Sequence, residues 1–134
     1  CEKFRDTPTS ILNFVEGTRF SDAKRVNRKS AYQNLLQPRA GGFAAALSSM
    51  GELFTSIADV TLVYPDGVVK FWDMCCGAHV HVSIDVRERE LEDWFIAGDY
   101  QDDRAFRKRL HTWLSDIWVE KDNLIATMRD SCGK

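Results

Sequence analysis

The sequence predicts an α/β domain: a partial mixed sheet of three or four strands flanked by helices. Two observations give the elements. Short apolar runs with β-branched residues recur at 11–15, 57–64 and 78–86, the signature of strands. Among them, apolar residues at three- and four-residue steps mark helices over 42–54 and about 102–129. A third sets the scale, because 134 residues, 44% hydrophobic and 28% charged, suffice for one globular domain.

Taken in order, residues 1–6 read as the end of a helix, broken at Thr7-Pro8-Thr9 because proline cannot continue it. Residues 10–15 read as a buried strand that stops at Glu16. Gly17 then lets the backbone turn sharply or approach a ligand. Arg19 offers a planar fork of donors suited to phosphate or carboxylate, and Glu16 is placed to orient it or to accept from a substrate hydroxyl. The stretch 19–38 is polar and weakly periodic, mostly loop with one short turn. From Arg19 to Arg39 there are six basic residues against one acid, Asp22, although the whole chain carries a net charge of −2. An anionic substrate or lipid surface fits that local excess.

The 42–54 helix carries Phe43, Ala44, Leu47, Met50 and Phe54 on one side, and Gly51 threatens its last turn. Gly41-Gly42 ahead of it either leaves N–H groups facing an anion or makes a tight turn into the helix. Residues 57–64 form a second strand, followed by the turn signal Pro65-Asp66-Gly67 and a short strand or turn of helix at 68–76. In the 78–86 strand, Val80, Val82, Ile84 and Val86 alternate with His79, His81, Ser83 and Asp85. Two histidines and an aspartate on one face can hold a metal, but a half-buried strand gives the same pattern with no ligand. Residues 88–95 read as a short amphipathic helix ended by Gly98-Asp99.

The last helix carries the stripe Phe106, Leu110, Trp113, Leu114, Ile117, Trp118, Leu124, Ile125 and Met128, with Asp102 and Asp103 at its positive N-terminus. A clamp on the sheet is its expected role. A helix lying in a membrane surface is the alternative, because Arg104, Arg107, Lys108 and Arg109 sit beside the aromatic residues.

The four cysteines, Cys1, Cys75, Cys76 and Cys132, have neither zinc nor disulfide-framework spacing, and reduced thiols are the simplest account. No apolar run approaches the roughly 20 residues of a membrane span. The basic stretch has few interleaved aromatic residues, which argues against nucleic acid.

Phe14-Val15-Glu16-Gly17-Thr18-Arg19 resembles the Phe-Pro-Glu-Gly-Thr-Arg block of the glycerolipid acyltransferases, the 1-acylglycerol-3-phosphate and lysophospholipid acyltransferases, with Val15 in place of the usual proline. Leu35-Leu36-Gln37-Pro38-Arg39-Ala40-Gly41-Gly42 resembles a Leu-Leu-x-Pro-Arg-x-x-Gly segment of one subgroup. Asp59-Val60-Thr61-Leu62-Val63-Tyr64-Pro65 resembles the family's fourth block. The resemblance runs over nearly the whole chain, and bacterial inner-membrane members are the nearest look-alikes.

It implies transfer of an acyl chain from a CoA or carrier-protein thioester to a lysophosphatidate-like acceptor at the cytoplasmic face of the inner membrane, with no metal or other cofactor. By that likeness Arg19 contacts the acceptor phosphate, Glu16 fixes Arg19, Gly17 and Thr18 shape the loop, Arg39 is a second anion contact, and Pro65 shapes the acyl-side wall. The family's general base lies in a His-x-x-x-x-Asp block upstream, and no histidine precedes Glu16 here. The chain also begins without methionine, a few residues before a core strand. It therefore reads as the C-terminal portion of such an enzyme, carrying acceptor-binding elements without the catalytic pair. His111 and Asp116 have the spacing, but they follow the Glu-Gly-Thr-Arg block. On a helix, five residues also separate them by about 140°. The alternative function is a non-catalytic module binding anionic lipid or a membrane surface.

Overall fold

A computed structural model describes residues 10–65, 67, 71–77, 81–98 and 100–132. The element order is α1 (Asp22–Asn27), α2 (Ala40–Met50) with a 3-10 turn (Gly51–Leu53), β1 (Ile57–Val63), α3 (Phe71–Cys75), β2 (Ser83–Arg89), α4 (Trp94–Ala97) and α5 (Arg104–Cys132). The chain thus combines helices with a sheet, but the sheet has two strands and is antiparallel among the described residues. The helix end at 1–6, the break at 7–9, the strand at 68–70, and His79 fall outside the described residues.

The two long helices form where the apolar spacing predicts them. In α5, Phe106, Leu110, Leu114, Ile117, Trp118 and Ile125 are buried, following three- and four-residue steps. Asp103 caps its start, its Oδ1 accepting from the Ala105 and Phe106 N–H groups at 2.7 and 3.1 Å. Ala40, Ala44 and Leu47 of α2 and Phe95 of α4 complete the main core with the α5 stripe. Aromatic rings knit it: Phe43 stacks on Trp113 at 5.7 Å, and Phe95 meets Trp113 edge-on at 4.9 Å. Trp118 is buried and Trp113 half-buried in this packing, the clamp role expected of α5. As expected, α2 ends at Gly51, passing into a 3-10 turn. Gly98 ends α4 where the Phe106 ring lies so close that an added Cβ would stand 1.9 Å from it.

Three expected elements differ. Residues 10–14 form no strand and are largely exposed, with Leu12 at 78% and Phe14 at 73%. An apolar run becomes a strand only where a neighbour supplies hydrogen bonds, and no described strand pairs with it. Second, β2 is displaced toward the C-terminus: it pairs Ile57 with Arg89 and Val63 with Ser83. This register draws Glu88 and Arg89 out of the expected 88–95 helix, whose remnant is α4. Third, the alternation along β2 is real but its polarity is inverted. Ile84 and Val86 are exposed opposite Leu62 and Val60, whereas Asp59 and Arg89 face α5.

That inward face is polar because α5 presents Glu120 and Lys121 to it. Asp59 accepts from Lys121 Nζ at 2.6 Å and from Arg89 at 3.3 Å, and Arg89 reaches Glu120 at 2.6 Å. Lys121 Nζ also donates to the Val60 carbonyl at 2.9 Å. The sheet is tied to the helix by charge as much as by apolar contact.

Candidate functional site

The 16–19 segment forms a loop. The Gly17 N–H donates to the Phe14 carbonyl at 2.8 Å, and Gly17 takes φ 68°, a left-handed conformation that costs glycine little. The turn is built by Gly17, so Val15 needs no proline to make it.

Two other segments hold this loop. One is 36–39. The Arg39 N–H donates to the Val15 carbonyl at 2.8 Å, and the Leu36 backbone lies where it favours the charged Glu16 carboxylate. The Arg39 side chain passes over Gly17, its Cδ 3.7 Å from where a Cβ would stand. The other is α1. Ser21 caps it by accepting from the Lys24 N–H at 3.3 Å. Lys24 Nζ then donates to Thr18 Oγ1 at 2.8 Å and to the Arg19 carbonyl at 3.2 Å.

Glu16 is half-buried, and burial pushes its carboxyl above the ordinary value. The Leu36 backbone and the charges of Lys121 and Arg28 pull it back in part. Its partners are therefore Leu36, Lys121 and Arg28. The expected Glu16–Arg19 pairing does not form. Arg19 is exposed, and its guanidinium makes no hydrogen bond or ion pair among the described residues. Arg39 is exposed too and serves as N-cap of α2 without a side-chain hydrogen bond to the helix. Gly41 and Gly42 lie inside the first turn of α2 rather than ahead of it. A basic side chain cannot accept from helix N–H groups, so that end of α2 has no side-chain cap.

The structure thus joins Glu16, Gly17, Thr18 and Arg39 in one feature, with Arg19 on its rim. Pro65 belongs to a separate one, the turn after β1 in which the Gly67 N–H donates to the Tyr64 carbonyl at 3.1 Å. Lys24 was visible in sequence only as one charge of the basic run. Lys121 carried no signal at all, because only the fold lets its charge act on Glu16 across more than a hundred residues of sequence.

The other candidate chemistry is not assembled. His111 and Asp116 are both exposed on the unbroken α5 helix, and His111 Nε2 lies 3.3 Å from the Tyr100 hydroxyl. Asp85 is engaged by Arg87 at 3.0 Å, and no described group of three side chains can hold a metal ion. Cys75 and Cys76 are free, exposed thiols. No described helix is long and apolar enough to cross a membrane. No protein-family model matches the chain, and no curated protein or solved structure matches it either.

Proposed function

We propose that this chain is the acceptor-binding portion of a lysophospholipid acyltransferase, its partner chemistry being the phosphate of a lysophosphatidate-like acceptor. The observation that supports this reading is the docking of 16–19 against 36–39. Two segments that separately resemble the family's blocks meet through the Val15–Arg39 hydrogen bond and the Arg39 side chain over Gly17. They leave the Arg19 guanidinium exposed and unpaired among the described residues, while Arg39, at the uncapped start of α2, lies over Gly17. Guanidinium donors and helix N–H groups are the standard recognition elements for a phosphate monoester.

In this reading Arg19 binds the phosphate, Arg39 adds a second positive charge, and Thr18, held by Lys24, keeps the loop in shape. The base that takes the acceptor's hydroxyl proton belongs to an upstream histidine-bearing half. The proposed substrates are a lysophospholipid and a CoA or carrier-protein thioester at the inner membrane. The test is acyl transfer to lysophosphatidate by the protein carrying that half, with and without Arg19→Ala. Loss of one charged phosphate contact should lower kcat/KM by roughly 30- to 1000-fold, about 2–4 kcal/mol. Unchanged kcat and KM would sink the assignment.

A second reading is favoured by one observation. Leu12 and Phe14 stand exposed immediately before the cationic loop, a combination suited to an anionic membrane surface. Binding to phosphatidylglycerol vesicles that is lost in Leu12→Ser/Phe14→Ser, with no acyl transfer by the longer protein, would favour a non-catalytic lipid-binding module.

A further inference from the structure

The loop at 16–19 is held by 36–39, and that segment is in turn held by α5. Asp122 lies on α5 and accepts two successive backbone donors, the Gln33 N–H on Oδ2 at 2.9 Å and the Asn34 N–H on Oδ1 at 2.7 Å. The Asn34 side-chain amide returns to Asp122 Oδ1 at 3.1 Å, and Arg129 closes the far side by donating to Asn34 Oδ1. One turn earlier, the buried Trp118 indole N–H donates to the Leu36 carbonyl at 2.9 Å. Leu36 is fully buried, and three residues further on the Arg39 N–H donates to the Val15 carbonyl at 2.8 Å, at the base of the loop. A single short peptide thus has one end on the helix and the other on the loop.

We propose that Asp122 is a positioning residue for the 16–19 loop, acting from α5 through the 33–39 segment, whose Arg39 N–H holds the Val15 carbonyl. Its functional consequence rests on the reading of that loop as a phosphate-binding element. The residue type fits the task. Two adjacent N–H groups point the same way, and a carboxylate offers one oxygen to each with charge-assisted strength. Asparagine at this position has one acceptor oxygen and would leave an N–H unpaired. Trp118 supplies the second anchor, and its ring is already fixed in the core.

The experiment uses the whole 134-residue chain, with amide exchange and nitrogen–proton correlation spectra of wild type, Asp122→Asn and Trp118→Phe. The phenylalanine keeps an aromatic ring in the core and loses the indole donor together with the volume of its five-membered ring. Asp122→Asn is expected to speed exchange of the Leu36 and Arg39 amides at least tenfold and to move the resonances of 16–18 and 36–39. Exchange at Leu47, Leu110 and Leu114 should stay as in wild type. Trp118→Phe should move the same loop resonances, which keeps the proposal testable if Asp122→Asn does not fold.

Leu36 exchange and 16–18 resonances unchanged in both variants would overturn the proposal. So would a rise in exchange spread evenly over the core amides, which marks a purely structural role. Glycerol 3-phosphate is the ligand probe, and its Kd should weaken about tenfold in Asp122→Asn. If wild type binds none while the Leu36 coupling holds, positioning is supported and the phosphate reading alone fails.

Discussion

Glu16 is the side chain at which local and global demands conflict. Burial disfavours its charge, the Leu36 backbone and the charges of Lys121 and Arg28 favour it, and the net result is a carboxyl raised above its ordinary value of 4.5. The linkage follows from that direction. The folded state holds the proton more tightly than the unfolded state, so this group's contribution is fully present below pH 4.5 and is lost as pH rises through the higher folded value. Glu16→Gln does not ionise. Relative to wild type, its stability should therefore increase between pH 4 and pH 7, measured by urea unfolding at both. A difference that is flat or falls with pH would show that Lys121 and Arg28 outweigh burial. That Glu16 matters was legible from the glycine and arginine beside it, but its partners were not. Sequence adjacency pointed to Arg19, three residues on. The fold supplied the Leu36 backbone, which has no side-chain signature.

The helices were legible as elements and the strands only in part, for a physical reason. The α5 stripe repeats over several turns and has one solution, an inward face, which Phe106, Leu110, Leu114, Ile117, Trp118 and Ile125 adopt. Its cap is equally local. Asp103→Ala should cost about 1 kcal/mol through loss of the bonds to Ala105 and Phe106, roughly 3–6 °C in Tm, whereas Asp103→Asn should keep most of it. Thermal melts followed at the helical band decide this, and equal melts for Asp103→Ala and wild type would show that the cap carries no stability. Strands differ because alternation tells which residues share a face but not which face is covered. Ile84 and Val86 share one with Val60 and Leu62 as the pattern requires, but α5 covers the opposite side. Residues 10–14 fail for a related reason: apolar composition is necessary for a strand, and a pairing edge is what completes it.

At the scale of the molecule, Lys121 is where sheet, helix and loop meet. Its ammonium bonds Asp59 of β1 and the Val60 carbonyl, and its charge acts on Glu16. The Asp59 and Lys121 side chains are only 10% and 12% exposed, so each depends on the other for the solvation it lost. The Arg89–Glu120 arm is more open, with Glu120 49% exposed, and should contribute under 1 kcal/mol and fade with salt. Removing one partner of the inner pair is a different matter. Asp59→Asn takes the carboxylate from the nearly buried Lys121 and leaves Arg89 with Glu120 alone, and about 3 kcal/mol of stability should go, measured by urea unfolding. Lys121→Met should cost a similar amount and also disturb the amide resonances of 16–18, because it removes a positive charge that acts on Glu16. The double variant removes the charge along with its partner, so its loss should fall short of the sum of the singles by about 1–3 kcal/mol. Additive losses, with the loop resonances unmoved in Lys121→Met, would mean that sheet and loop rest on α5 independently. Coupled losses with moved resonances would mean that one lysine holds the polar face of the sheet and the candidate site in register on the same helix.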